Sequence, residues 1–149
     1  MRLLILFLAL GFQTPFAVGA DEQLPKDWVK TDFGGFILYL PPDMKQQRVQ
    51  GIDSDVRRYA SDSITISSDY GWYSDPLDRS YPKPVKAITV DGRVARLVVY
   101  DGAGAFPFLS AIHFPDTGKP EMKLTISGAA KDKTAAESLQ RIYATIHFK

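Results

Sequence analysis

A stretch rich in aromatic residues, prolines and aspartates contains the side chains of this chain that are best suited to binding chemistry. It runs from Asp69 to Pro84, and its candidate binding residues are Tyr70, Trp72, Tyr73, Asp75 and Tyr81. Tyrosine and tryptophan offer large contact areas at a low entropic cost and are enriched at recognition surfaces. Long connections between strands lie mostly at the surface and are often functional. The composition predicts a solvent-accessible binding loop, and the alternative is that Trp72 and Tyr73 fold back as a cap over the sheet.

Acidic residues in the same stretch allow two further interpretations. The carboxylates of Asp69, Asp75 and Asp78 could offer oxygen ligands to Ca²⁺, which takes six to eight of them. Their spacing matches no calcium-binding loop, so we expect neither a metal nor a cofactor. A small hydrolase that uses this acidic, aromatic loop is the enzymatic alternative.

The histidines and the missing motifs favour a protein without enzymatic activity. The chain has two histidines, His113 and His147, and both lie in predicted strands, where we expect half-buried structural side chains. Ser-His-Asp catalysis would need one of them beside an activated serine, and no nucleophile elbow or zinc-protease motif is present. The chain has no cysteine, which excludes thiolate nucleophiles and thiolate metal sites.

The segments that must position these residues are predicted to be mainly strands. The segment Phe33–Leu40 is a predicted strand that ends at two prolines, and Ser63–Ser68 is another; one or two half-exposed strands are expected between positions 45 and 60. The segment Val85–Tyr100 predicts a hairpin around Asp91-Gly92, a pair that favours the two-residue type I′ turn. Both faces of this hairpin carry apolar side chains, so the sheet is expected to be covered on both sides.

The C-terminal third predicts a second hairpin followed by a helix. Its strands are Phe106–Phe114 and Met122–Ser127. The spacing of Thr134 and Glu137 predicts a capping box at the start of the helix. An apolar stripe should bury against the sheet, formed by Ala135, Leu139, Ile142, Tyr143 and Ile146. The expected class is α+β: an antiparallel meander with a C-terminal packing helix.

The first twenty residues predict a secretory signal peptide. Arg2 precedes eight apolar residues, Leu3–Leu10, and Val18 and Ala20 provide small residues before a cleavage site. The apolar run is too short to span a bilayer. We expect cleavage after Ala20, leaving positions 21–149 as a single periplasmic or secreted domain that does not insert into a membrane.

The charge balance argues against nucleic acid as a partner. Arg2 is the only charged side chain in the first twenty residues, so the remainder carries equal numbers of acidic and basic side chains. These charges are interspersed along the chain, whereas nucleic-acid binders show a basic excess or a basic stripe.

The order of elements resembles the Mog1/PsbP-like fold family. The resemblance is carried by the strand FILYLPPDM, by the central tight hairpin and by the closing segments MKLTISGAA, AAESLQRIYATI and HF. It implies an α/β/α sandwich whose members are mostly non-catalytic, and no family motif assigns a functional residue. We therefore expect an exported binding or accessory module whose partner is another protein or a small ligand of the cell envelope. The alternative is an inhibitor or immunity-type interaction protein.

Overall fold

The computed structural model describes residues 24–79 and 81–149, so the predicted signal peptide, residues 1–20, lies outside the described residues. The elements, in chain order, are β1 (Val29–Asp32), β2 (Phe36–Leu40), β3 (Lys45–Gln47), β4 (Asp55–Ala60), β5 (Ile64–Gly71), β6 (Lys86–Val90), β7 (Arg93–Asp101), β8 (Phe108–Phe114), β9 (Lys123–Ala130), α1 (Lys133–Ala144) and β10 (His147–Phe148). A seven-stranded antiparallel sheet has the order β3-β4-β5-β9-β8-β7-β6, and a three-stranded sheet has the order β1-β2-β10.

The hairpin β6–β7 has the predicted turn and register. Asp91 and Gly92 have φ angles of 51° and 70°, and a type I′ turn requires positive values at both positions. Val90 stands opposite Arg93, and Ile88 stands opposite Ala95. The prediction for this hairpin is confirmed.

The second hairpin is also confirmed, and its strand β9 occupies the middle of the sheet between β8 and β5. The predicted strand at Ser63–Ser68 is longer than expected, because β5 continues to Gly71. Asp69 and Tyr70 therefore belong to a strand and not to the loop. The described part of the connection to β6, residues 72–79 and 81–85, is called the second-face loop below.

One face of the large sheet carries the helix and the main core. The buried residues of α1 are those of the predicted stripe within the helix, and Ile146, just beyond it, is buried too. Gly128 on β9 permits the close approach, because a Cβ there would lie 2.6 Å from Leu139 Cδ1. The Tyr143 hydroxyl donates a hydrogen bond to the Ser110 carbonyl, 3.2 Å away.

The start of the helix differs from the prediction. Asp132 is the N-cap, and its side chain accepts a hydrogen bond from the Ala135 amide at 2.9 Å. The predicted capping box of Thr134 and Glu137 is wrong because Asp132, an equally good cap, precedes Thr134 by two residues. Glu137 then lies beyond the position from which it could complete such a box.

The small sheet completes the core on the helix side. Phe36, Leu38 and Leu40 of β2 are buried, as the alternation predicted. Their separation into a second sheet with β1 and β10 was not predicted. Within the described residues α1 is the one helix, so the α+β class is confirmed but the second helical layer of an α/β/α sandwich is not present there. No helix in the described residues is long and apolar enough to cross a membrane.

Candidate functional site

A cleft lies on the face of the large sheet opposite α1, which we call the second face. Successive side chains of a strand point to opposite faces. On β5 and β9 the bulky side chains point to the core and the small ones to the second face. In the register, Arg58, Ser67, Ser127 and Ala111 form one row across four strands. A second row across neighbouring strands is formed by Thr65, Ala129, Leu109 and Tyr100. Because most of these side chains are short, the rows form the floor of a cleft of about 530 Å³, within the range of small-molecule sites.

The floor changes from polar to apolar across the sheet. Thr65, Ser67 and Ser127 place hydroxyl groups at its β5–β9 side, and within the described residues these hydroxyls have no hydrogen-bond partner. Arg58 borders the same side, and its guanidinium forms no ion pair with any described residue. Leu109 and Ala111 of β8 form the other, apolar side of the floor. The cleft therefore offers unsatisfied donors at one end and a hydrophobic surface at the other.

The second-face loop forms the wall of the cleft. Asp75 accepts a hydrogen bond from the Leu77 amide at 3.0 Å and forms an ion pair with Arg79. The φ angle of Leu77 is 52°, in the left-handed region. Among residues other than glycine, mainly those with short polar side chains adopt this conformation. Its side chain is buried against Val98 and Ala111, and this burial offsets the backbone strain.

Two hydrogen bonds fasten this loop to the sheet, and a third orients one of the donors. Thr125 Oγ1 donates to the Asp75 carbonyl at 2.7 Å, and it lies 2.8 Å from His113 Nδ1. Arg96 Nη1 donates to the Pro76 carbonyl at 2.8 Å. Thr125 has one hydroxyl proton and donates it to the Asp75 carbonyl. Nδ1 of His113 must therefore carry a proton and donate it to Thr125 Oγ1. The loop wall is therefore fixed by side chains of β7 and β9, and His113 of β8 supports the β9 donor.

His113 is more deeply buried than its sequence position predicted. It is 1% exposed rather than half-buried. Burial, together with Arg96 and Lys123, lowers the pKa of His113 to about 4. The imidazole is neutral near pH 7, and its structural role as a donor to Thr125 fits that state.

The apolar end of the cleft is marked by two tyrosines. The ring centroids of Tyr81 and Tyr100 lie 5.7 Å apart with the planes tilted by 48°. Burial raises the pKa of Tyr81, so its phenol stays protonated at physiological pH. Both rings are partly exposed and line the cleft.

The five predicted binding residues separate into three places. Asp75 and Tyr81 line the cleft. Tyr70 is 7% exposed and packs in the core, 5.9 Å from the ring of Phe36. The expectation that Tyr70 is accessible is wrong, because β5 extends past it and strand alternation turns it toward the core.

Trp72 and Tyr73 occupy the third place, at the end of the sheet. They are 54% and 82% exposed, and neither caps the sheet. The preceding Gly71 packs against Ser54, where a Cβ would lie 2.6 Å from the Ser54 Cβ. This contact brings the loop that carries Ile52, 97% exposed, to the same end. We call Trp72 and Tyr73 the aromatic tip.

The remaining candidates do not converge on a reactive centre. Asp69 lies on β5 opposite Thr125, whereas Asp75 is engaged by Arg79. Across residues 24–79 and 81–149, no group of three or more His, Cys, Asp or Glu side chains is placed so that it could hold a metal ion. His147 is exposed and lies 2.9 Å from Asp91 Oδ1, away from the cleft.

The floor residues were missed by sequence reasoning. The available signal was the alternation of bulky and small side chains in SITISS and LTISGAA, which marks one filled face and one open face. Comparison with known proteins adds no assignment, since no family model matches the chain and no curated protein is similar enough to count as a relative.

Proposed function

We propose that this chain is an exported, non-enzymatic binding module that holds a small ligand in the second-face cleft. The observation that carries the proposal is a set of donors at one end of the cleft that have no partner among the described residues, Arg58, Ser67 and Ser127, facing an apolar end. Binding sites have this composition, with an apolar lining and a few convergent polar groups.

Membership of the Mog1/PsbP-like family is part of the same proposal. Its support is the order of elements: strand β2, a tight central hairpin, and a closing strand, helix and strand. Export is supported by the apolar run Leu3–Leu10 and by the small residues at Val18 and Ala20.

The state of the titratable groups favours binding over hydrolysis. The Asp75 carboxylate is occupied by Arg79 and by the Leu77 amide. His113 donates from Nδ1 to Thr125 and is buried beneath the loop. General acid–base catalysis needs such a group within reach of substrate, and these two serve to hold the wall of the cleft.

A ligand screen followed by nuclear magnetic resonance tests the proposal. We expect binders to shift backbone amides of β5, β8 and β9 together with those of the second-face loop. Ser127→Leu should abolish those shifts by filling the floor. Thr89→Leu, at an exposed second-face position outside the cleft, is the matched control and should leave them unchanged. If binders shift only residues elsewhere, the cleft is not the site.

The aromatic tip favours a second candidate function, docking on another protein as an inhibitor or immunity-type factor. Exposed tryptophan and tyrosine are typical of interface hot spots. Trp72→Ala should lower the affinity for such a partner by about 2 kcal/mol or more, while the melting temperature barely changes because the ring is half exposed. A large fall in melting temperature would show that Trp72 is structural.

A further inference from the structure

We propose that the second-face cleft binds an amphiphile with one anionic head and an apolar body, with the head at Arg58 and the body lying toward Tyr81 and Tyr100. This inference rests on the proposed function and adds the chemical class of the ligand. The shared chemistry is an acidic head on an aliphatic or aromatic body, which a free carboxylic acid and a phosphate-headed lipid both possess.

The polar end of the cleft is built for an anion. Among the described residues, the charged groups that line the cleft are Arg58, Arg79 and Asp75, and Arg79 is already paired with Asp75. Arg58 is the cation left without a carboxylate partner among the described residues. A guanidinium matches the geometry of carboxylate and phosphate and binds them through two parallel hydrogen bonds.

Hydroxyl groups next to Arg58 strengthen this assignment. Ser67 stands directly opposite Arg58 in the β4–β5 register, and Ser127 stands opposite Ser67 on β9. Each hydroxyl can donate one hydrogen bond to an anionic oxygen. Among the described residues that line the cleft, the one carboxylate is Asp75, and it is paired with Arg79.

The other end of the cleft suits an apolar body. Leu109 and Ala111 lie on β8, three strand steps from Arg58 on β4. Adjacent strands lie about 4.8 Å apart, so the floor from Arg58 to β8 spans roughly 14 Å. Tyr81 and Tyr100 then close the apolar end. A medium-chain acid such as decanoate can lie along this floor with its head at Arg58.

The test titrates purified protein with decanoate below its micelle concentration, with decanol, and with decyl phosphate, by calorimetry and by amide chemical shifts. We expect at least one of the two anions to bind in the cleft and decanol to bind at least about tenfold more weakly, as loss of a charge-assisted hydrogen bond implies. Preference for decanoate assigns a carboxylic acid as the source, and preference for decyl phosphate assigns a phosphate-headed lipid.

Two arginine variants separate a local contact from a general charge effect. Arg58→Gln should weaken binding of the anion by about tenfold or more. Arg48→Gln removes an exposed cation of the same type that does not line the cleft, and it should change the affinity less than about twofold. Equal effects of the two variants, or equal affinity of decanol and the anions, would overturn the proposal.

The failure of this inference can be distinguished from failure of the proposed function. If Ser127→Leu abolishes binding in the cleft but Arg58→Gln leaves it intact, the cleft is a site for another class of ligand and the anion assignment is wrong. If none of the three probes shifts cleft residues, the anion assignment also fails. If the wider screen gives the same result, the proposed function fails with it.

Discussion

Mild acid should destabilise this protein through one buried histidine. His113 has a pKa of about 4 in the fold, against 6.5 for an unperturbed imidazole. Below pH 6.5 His113 binds a proton in the unfolded chain but not in the folded chain. The free energy of unfolding therefore falls as the pH falls. The loss begins near pH 6.5 and is complete once the pH is below 4.

The magnitude follows from the size of the shift. Each pKa unit corresponds to about 1.4 kcal/mol, so the full loss is about 3 kcal/mol. Between pH 7 and pH 5 it should reach about 2 kcal/mol. This is a large fraction of the net stability of a single domain, which is typically about 5–15 kcal/mol.

Urea unfolding of the wild type and of His113→Asn at pH 7, 6 and 5 measures the effect. The asparagine amide can replace Nδ1 as the donor to Thr125 but does not titrate, so the variant should be less stable at pH 7 and lose less stability toward pH 5. An equal loss of stability in both proteins would refute the reasoning. If the variant does not fold, direct titration of the His113 ring in the wild type decides the matter, and a pKa near 6.5 would contradict the structure.

Three further results are expected. Ile142→Ala should lower the free energy of unfolding by about 2–5 kcal/mol, because the side chain is fully buried where α1 meets the sheet, and an unchanged urea midpoint would contradict that packing. Asp132→Ala should lower it by about 1 kcal/mol through loss of the N-cap, whereas Thr134→Ala should have a smaller effect, the reverse of what the capping-box prediction requires. Mass spectrometry of exported protein should find Asp21 at the N-terminus, and an intact Met1 would refute cleavage.

Local signals predicted the elements that local chemistry determines. Asp91-Gly92 determined both the turn and the register of β6–β7, since few residue pairs adopt two positive φ angles. The apolar spacing of α1 identified its buried face for a similar reason. The N-cap was misplaced because Asp132 and Thr134 are both good capping residues, and the local sequence does not show at which of them the helix begins.

Features that depend on distant pairing were not predicted. The small sheet forms because β10, near the C-terminus, pairs with β2, and a contact so remote in sequence leaves no local signal. The position of Tyr70 depended on the length of β5, which is set by its pairing with β9 as far as Gly71 and Lys123. The cleft likewise exists only because β5 and β9 are neighbours in the sheet, which places their small side chains in common rows.

The small residues of these rows reduce the stability of the sheet, and this makes a final prediction possible. Serine and alanine fit a pleated surface less well than β-branched residues, on a scale that spans about 1 kcal/mol. Ser127 is exposed on a central strand and has no side-chain hydrogen-bond partner among the described residues, so Ser127→Val removes no internal hydrogen bond. We expect the variant to be more stable by a few tenths to about 1 kcal/mol in urea unfolding. The matched change Thr89→Val should gain less, because threonine is already β-branched. A loss of stability in Ser127→Val would mean that the serine supports the fold, and the small floor would no longer argue for a ligand.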